Sequence, residues 1–234
     1  KNGVFMNKSY LITGANRGIG LALTKIIIEK GDRVIALCRK PEEAEELRTI
    51  SNTQDNLNIF KADVTKEDEL IKISKSIDNI DFLICNAGIM GPRGGMNDKD
   101  TNYRNISEVL MTNVAGPFFT IKSFIGKLRE SKDPKIVILS SRMGTQMHHG
   151  SDAYFYRASK AAVNNIMVSF SNELNQFNIP ITSFHPGWVQ TDMGGSNASL
   201  SPEESASSLI EQFKELGSKN TGKFYNYEGS EISF

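Results

Sequence analysis

Short apolar runs alternate with longer amphipathic stretches along the whole chain, and this alternation limits the fold more than any other feature. Several runs are unbroken, which is typical of strands covered on both faces. Strand–helix alternation implies right-handed crossovers and a parallel sheet. The sequence therefore predicts an α/β protein with a doubly wound sheet. Its seven predicted strands lie at 10–13, 34–38, 57–61, 82–85, 136–139, 181–184 and 223–226.

The stretches between these runs carry apolar residues at helical spacing. The first helix has one buried stripe, formed by Ile19, Ala22, Leu23, Ile26 and Ile27. Further helices are predicted at 42–51, 66–77, 104–129, 153–177 and 202–216. The irregular segments 86–103, 140–152 and 186–201 all follow predicted strands. In an open parallel sheet this carboxyl edge binds ligands, so we expect one site there.

Length and composition favour a single domain over 1–234. The 27 basic and 27 acidic residues provide no basic face for nucleic acid. No apolar stretch is long enough for a membrane span, and no signal peptide opens the chain. Two cysteines, Cys38 and Cys85, end apolar runs and favour a reducing, cytoplasmic setting. The chain starts at Lys1, so Met6 is a candidate initiator, with residues 1–5 then foreign to the natural protein.

A glycine-rich turn joins the first strand to the first helix through Gly14, Gly18 and Gly20. Such a turn brings the backbone close to a pyrophosphate and aims helix N–H groups at the anion. The spacing is GxxxGxG, which differs from the GxGxxG dinucleotide fingerprint. A turn that binds nothing is the alternative, and the strand–helix context favours the phosphate interpretation.

Tyr156 and Lys160 are four residues apart on a predicted helix and therefore share one face. An ammonium beside a phenol favours the phenolate, which would lower the pKa of Tyr156 from about 10. Tyr156 is thus a candidate general acid or base for a carbonyl/alcohol pair. Tyr154 has Ala158 four residues on and lacks such a partner.

Together these residues resemble the short-chain dehydrogenase/reductase family over residues 10–227. The resemblance rests on six motifs in the expected order, namely Thr13-Gly14-x-x-x-Gly18-Ile19-Gly20, Asn86-Ala87-Gly88, Asn113, Ser141, Tyr156-x-x-x-Lys160 and Pro186-Gly187. It implies a Rossmann fold with seven parallel strands in the order 3-2-1-4-5-6-7. The segments 38–41 and 185–195 look closest to the sniffer-type carbonyl reductases and the C-factor-like proteins.

The resemblance also implies roles for the catalytic residues. Tyr156 would be the general acid, and Ser141, rather than Ser140, would hydrogen-bond the substrate oxygen. Lys160 would bind the nicotinamide ribose and lower the Tyr156 pKa. Asn113 would bend its helix and hold a water that relays protons toward Lys160; a helix-packing amide is the alternative.

NADP(H) is the expected cofactor. An NAD-specific member would carry an acidic residue at the end of the second strand, where this chain has Cys38 followed by Arg39. Arg17 lies in the glycine turn, and two guanidinium groups near one ribose suit a 2′-phosphate. The alternative is that both arginines are ordinary solvated side chains.

Other cofactor contacts follow from the family motifs. Asp63 would accept from the adenine amine, with a helix N-cap as its competing use. Among the remaining positions, the backbone of Val189 and the hydroxyl of Thr191 would contact the nicotinamide carboxamide and the phosphates, and the others would border the cofactor. The remaining positions are Asn16, Val64, Asn86, Ala87, Gly88, Pro186, Gly187, Val189 and Thr191. Trp188 either lines the pocket or packs under this last loop.

The function expected from the resemblance is NADPH-dependent reduction of an aldehyde, ketone or quinone to an alcohol, in an open and permissive pocket. Two alternatives stay open: oxidation of an alcohol by the same residues, and a nucleotide-binding signalling or sensor role of C-factor type. No metal is expected, since no carboxylate or cysteine completes a zinc set with His148 and His149. The family suggests a homodimer or homotetramer.

Overall fold

A computed structural model describes residues 7–234; Met6 and residues 1–5 lie outside this range. All seven predicted strands form one parallel sheet in the order β3-β2-β1-β4-β5-β6-β7, which confirms the predicted fold. The strands are β1 (Ser9–Thr13), β2 (Arg33–Cys38), β3 (Leu57–Lys61), β4 (Phe82–Cys85), β5 (Lys135–Leu139), β6 (Ile181–His185) and β7 (Phe224–Asn226).

The helices occupy the regions expected from the apolar spacing. They are α1 (Gly18–Glu29), α2 (Glu45–Ser51), α3 (Glu67–Ser76), α4 (Tyr103–Leu110), α5 (Gly116–Arg129), α6 (Tyr154–Leu174) and α7 (Pro202–Lys214). Helix α7 begins with a capping box, in which Ser201 and Glu204 each accept from the other's backbone N–H. Such reciprocal bonds satisfy two donors at the helix start.

The unbroken apolar strands are explained by two cores, one on each face of the sheet. Helices α1, α2 and α7 cover one face, through residues such as Leu23, Leu47 and Phe213. Helices α3, α5 and α6 cover the other, through residues such as Ile73 and Phe124. With helices on both faces, the edge at the carboxyl ends of the strands remains for a site.

The predicted single helix over 104–129 is wrong in one respect. A π-helical turn at Met111–Ala115 separates α4 from α5. Asn113 is buried inside this turn, and π turns are often found at functional sites. Asn113 thus lies where the helical hydrogen-bonding pattern changes.

Another departure from regular geometry precedes α6. Ala153 has a φ of +48° and is buried, a left-handed conformation that is uncommon for a residue with a Cβ. Its N–H donates to the carbonyl of Arg93 at 3.2 Å. The loop after β4 thus helps to fix the start of the helix that carries Tyr156.

Within residues 7–234, no helix combines the length and the apolar character that crossing a membrane requires.

Candidate active site

A cleft of about 740 Å³ opens at the carboxyl edge of the sheet. It lies between the glycine-rich turn, the ends of β2 and β3, the loop after β4, helix α6 and the loop after β6. Fifteen of the predicted site residues line it. They are Gly14, Asn16, Arg17, Gly18, Ile19, Arg39, Asp63, Val64, Asn86, Ala87, Gly88, Tyr156, Lys160, Pro186 and Thr191.

The other five predicted residues are not among those that line it, and they are Gly20, Asn113, Ser141, Gly187 and Val189. Ser140, which the sequence analysis ranked below Ser141, does line the cleft. Its hydroxyl is 3.4 Å from the carbonyl of Lys160, whereas the Ser141 hydroxyl accepts from the N–H of Met143 at 3.1 Å. The topology has thus gathered segments from along the chain at one edge.

Close packing explains the glycines of the turn. Gly14 and Gly18 have φ values of +66° and +52°, which glycine adopts without strain. A Cβ on Gly20 would lie 2.3 Å from the Gly14 carbonyl oxygen. The Asn86 amide donates to that oxygen and to the Thr13 carbonyl at 2.9 and 3.0 Å. Asn86 therefore fixes the turn that is expected to receive the pyrophosphate.

Arg39 is exposed at the end of β2 and lines the cleft. Asp63 lines it too, and its Oδ1 accepts from the N–H and the hydroxyl of Thr65 at 2.9 and 2.8 Å. Helix α3 has Lys66 at its N-cap, so the alternative use of Asp63 as the helix N-cap is wrong. The second carboxylate oxygen is left for a ligand.

Arg17 has a neighbour that the sequence analysis did not include. Its Nη1 lies 2.6 Å from Oδ2 of Asp192, on the loop after β6. Beside this pair, a Cβ on Gly18 would lie 3.0 Å from Thr191. The Arg17–Asp192 pair therefore spans the cleft between its two walls, with both side chains largely exposed.

Tyr156 is almost fully buried in the first turns of α6. Burial raises its pKa; a side-chain hydrogen bond with Ser141 and the positive charge of Arg93 act in the opposite direction. The predicted fall in the Tyr156 pKa is wrong, because removing the phenolate from water outweighs its favourable neighbours.

Lys160 extends from the next turn of α6 into the buried side of the cleft. Its Nζ donates to the carbonyl of Leu139, the last residue of β5, at 2.9 Å and lies 5.6 Å from the centre of the Tyr156 ring. Burial lowers the pKa of Lys160 to about 8. The ammonium is thus held near the phenol, in a site whose low polarity disfavours its charge.

The Asn113 side chain binds the loop after β4. Its Oδ1 accepts from the N–H of Ile89 at 2.9 Å. Its Nδ2 donates to the Ile89 carbonyl and to the Ser159 hydroxyl at 2.8 and 3.0 Å. Both amide hydrogens are therefore occupied, which matches the packing alternative and leaves only oxygen lone pairs of this residue for a water.

The loop after β6 closes the remaining side. Gly187 has a φ of +88°. Val189 is buried and pairs with Leu200 in an isolated bridge, and no acceptor within residues 7–234 receives its N–H. Trp188 is 55% exposed, with its indole N–H bonded to the Gly194 carbonyl, so it does not pack under the loop. The Val189 N–H is thus available to a ligand.

Three residues that contribute to the site were missed: Arg93, Ser159 and Asp192. Ser159 occupies an unspecified position inside the Tyr156-x-x-x-Lys160 motif, and neither Arg93 nor Asp192 belongs to a motif with a recognisable spacing. Arg93 and Asp192 lie in two of the irregular segments that follow strands, 86–103 and 186–201. Their location at the carboxyl edge of the sheet was the one sequence signal that could have marked them as site residues.

The parallel sheet, the glycine turn, the cleft at the carboxyl edge and the buried Tyr156–Lys160 pair define an oxidoreductase of the dinucleotide-binding α/β class. The family model for short chain dehydrogenases matches residues 8–200. The chain belongs to the short-chain dehydrogenase/reductase family.

Relatives and solved structures agree with this assignment. An uncharacterized oxidoreductase of Schizosaccharomyces pombe is 33% identical over 97% of this chain and 98% of its own. The C-signal of Myxococcus xanthus is 33% identical over 65% of this chain and 92% of its own.

Among solved structures, the carbonyl reductase Sniffer of D. melanogaster superposes with a TM-score of 0.92 at 29% identity, covering 98% of this chain and all of that one. The NADPH-bound carbonyl reductase from chicken fatty liver gives 0.91 at 28% identity, with the same coverage.

Proposed function

We propose that the protein reduces an aldehyde, ketone or quinone to the alcohol with NADPH. The observation that carries this proposal is the buried Tyr156 side chain, whose ring centre lies 5.6 Å from Nζ of the buried Lys160, at the inner side of a dinucleotide-sized cleft. The similarity to carbonyl reductases, one of them NADPH-bound, supports the same choice.

The residues present fit an NADP(H) molecule. A side chain at Gly14 or Gly20 would collide with backbone within 2.9 Å, so the turn leaves room for phosphate oxygens only with glycine. Arg39 would bind the 2′-phosphate, Asp63 the adenine amine, and the Val189 N–H the carboxamide. The bound cofactor would supply the hydride that the carbonyl carbon receives.

Tyr156 would donate its phenolic proton to the carbonyl oxygen, while the Ser141 hydroxyl holds that oxygen. Because burial raises the Tyr156 pKa, the phenol stays protonated near neutral pH and is ready to act as an acid. Lys160 would bind the ribose hydroxyls and restore the proton, and Asn113 would position the loop beside them.

A second candidate is a nucleotide-binding signalling role, which the similarity to the C-signal of Myxococcus xanthus favours. Mere nucleotide binding would not require Tyr156, Lys160 and Ser141 all to be buried.

We also propose that the protein works in the cytoplasm. Its two free, buried cysteines support a reducing compartment.

The test follows NADPH oxidation with a panel of aldehydes, ketones and quinones, using the wild type, Tyr156→Phe and Tyr154→Phe. Removing a general acid should lower kcat/KM by roughly 10²- to 10⁴-fold in Tyr156→Phe, with NADPH binding retained. Tyr154, two residues earlier, is about half exposed, so its variant should behave like the wild type. Tight NADPH binding without turnover of any carbonyl would favour the signalling role instead.

A further inference from the structure

An ion pair between Arg17 and Asp192 joins the two walls of the cleft. Arg17 lies in the glycine turn between β1 and α1, and Asp192 lies on the loop after β6. Nη1 of the guanidinium is 2.6 Å from Oδ2 of the carboxylate, and both residues line the cleft. The walls also approach each other beside this bond, where a Cβ on Gly18 would lie 3.0 Å from Cγ2 of Thr191.

The ion pair lies midway along the cleft. Arg39 and Asp63 mark the end at β2 and β3, where the adenosine half of the cofactor is proposed to bind. Tyr156 and Lys160 mark the reacting end on α6. The glycine turn lies between these ends, because β1 stands between β2 and the strands β4 and β5 in the sheet. A dinucleotide that reaches both ends must therefore pass the ion pair with its pyrophosphate.

The ion pair also lies on the solvent side of the cleft. The exposed fraction of the side chain is 63% for Arg17 and 78% for Asp192. The strand ends form the floor, where Gly14 and Ala87 pack so closely that a Cβ on Gly14 would lie 2.9 Å from Cα of Ala87. A pyrophosphate resting on this floor would have the ion pair between itself and solvent.

Each wall is held in place without the ion pair. On one wall, the Asn86 amide donates to the Gly14 carbonyl at 2.9 Å. On the other, the hydroxyl and the carbonyl of Thr191 accept from the N–H groups of Gly194 and Gly195 at 3.0 and 2.8 Å. The bond across the cleft can therefore open and close again while both walls keep their structure.

We propose that Arg17 and Asp192 form a strap over the pyrophosphate of bound NADP(H), and that opening of this strap sets the rate at which the cofactor leaves. This inference rests on the cofactor binding in the proposed function and does not depend on carbonyl reduction. Asp192 is then a positioning residue, because a carboxylate would itself repel the phosphates and acts only through Arg17. The bond also directs the Arg17 guanidinium toward the loop after β6 and away from the end of β2, where the 2′-phosphate is expected.

The test measures the dissociation rates of NADPH and NADH by stopped-flow fluorescence, with an excess of NADP⁺ as the chase. The variants are Arg17→Gln, Asp192→Asn and the two combined. Either single change should raise both dissociation rates by about two- to fivefold, the range that an exposed ion pair supplies. The double variant should show no further increase, because both changes remove the same bond. Lys122→Gln removes an exposed ion pair with Glu67 away from the cleft and should leave both rates unchanged.

Several results would overturn the inference. An increase in Arg17→Gln without one in Asp192→Asn would mean that Arg17 binds a phosphate directly, and additive increases in the double variant would mean that the two residues act separately. An increase confined to NADPH would return Arg17 to the 2′-phosphate, and unchanged rates would leave the pair no part in holding the cofactor. Dissociation needs no turnover, so a protein that binds NADPH and reduces no carbonyl sinks the proposed reaction alone. A wild type that binds neither cofactor would overturn both proposals.

Discussion

Lys160 places an ammonium where the fold alone would prefer an apolar group. It is 6% exposed and has one described hydrogen bond, to the Leu139 carbonyl, so burial lowers its pKa to about 8. Relative to its ordinary value of 10.5, this corresponds to about 3 kcal/mol of unfavourable burial at neutral pH. The residue is better explained by the chemistry at Tyr156 than by stability.

Replacing Lys160 with Met should therefore abolish turnover yet raise the free energy of unfolding near pH 7. Between pH 8 and 10.5 the unfolded wild type holds the proton that the native state has lost, so wild-type stability rises with pH there. The advantage of Lys160→Met should accordingly shrink across that window. Urea unfolding of both proteins at several pH values measures it, and a difference independent of pH would contradict the burial argument.

Arg39 and Arg17 should contribute unequally to cofactor choice. Arg39 lines the cleft and forms no ion pair within residues 7–234, whereas Arg17 is paired with Asp192. We expect Arg39→Gln to weaken NADPH binding by about 10- to 100-fold with little effect on NADH, and Arg17→Gln to have the smaller effect. Fluorescence titration with both cofactors measures this, with exposed Arg48→Gln as control. Equal losses for NADPH and NADH would contradict a contact with the 2′-phosphate.

At the scale of elements, the glycine turn depends on the close approach of Gly20 to the Gly14 carbonyl oxygen, which leaves no room for a side chain on Gly20. In Gly20→Ala the new Cβ would lie 2.3 Å from the Gly14 oxygen. Overpacking of this kind should cost roughly 1–3 kcal/mol of stability and weaken NADPH binding. Gly126→Ala, in α5 with nothing within 4 Å, should instead gain about 0.5–1 kcal/mol. Thermal unfolding compares the two, and a neutral Gly20→Ala would show that the turn can relax.

The elements themselves were largely predictable because their patterns are local. Unbroken apolar runs indicated strands covered on both sides, and the helical stripes followed from spacing. The π turn at Met111–Ala115 was missed because the same residues would also suit an uninterrupted α-helix. The hydrogen bonds of the Asn113 side-chain amide with Ile89 and Ser159 involve two other parts of the fold. The spacing of residues along one helix cannot reveal such contacts.

For the whole molecule, the order of strands made the position of the site predictable. The loops that follow parallel strands all lie at the carboxyl edge of the sheet, so the sequence motifs in these loops were expected to meet there. Contacts between those loops were not predictable, since Arg93–Met193 and Arg17–Asp192 join irregular segments without periodicity. The direction of the shift in the Tyr156 pKa was missed for a related reason. The shift is caused by burial, and burial is a property of the assembled fold.

The homodimer or homotetramer suggested by the family can be tested on an exposed aromatic. Family members often dimerise through the two long helices, which were predicted here at 104–129 and 153–177. Phe118 on α5 is 38% exposed and lies against Phe119 and Phe170, with ring centres 5.3 and 5.4 Å away. Phe118→Glu should shift the sedimentation coefficient toward that of a monomer, because charge at the centre of an interface opposes association. Ile71→Glu, equally exposed on α3, should not. A wild type that sediments as a monomer would refute the dimer.

The two cysteines can report on two different events in the molecule, because Cys85 lies on the central strand β4 and Cys38 borders the cleft. Burial raises the pKa of Cys85, in the centre of the sheet, to about 12, and it also raises that of Cys38, which borders the cleft. Because the thiolate is the form that attacks thiol reagents, a native molecule should be modified at Cys85 only during rare openings of the sheet. Labelling at Cys85 therefore counts those openings, while labelling at Cys38 records whether the cleft is occupied.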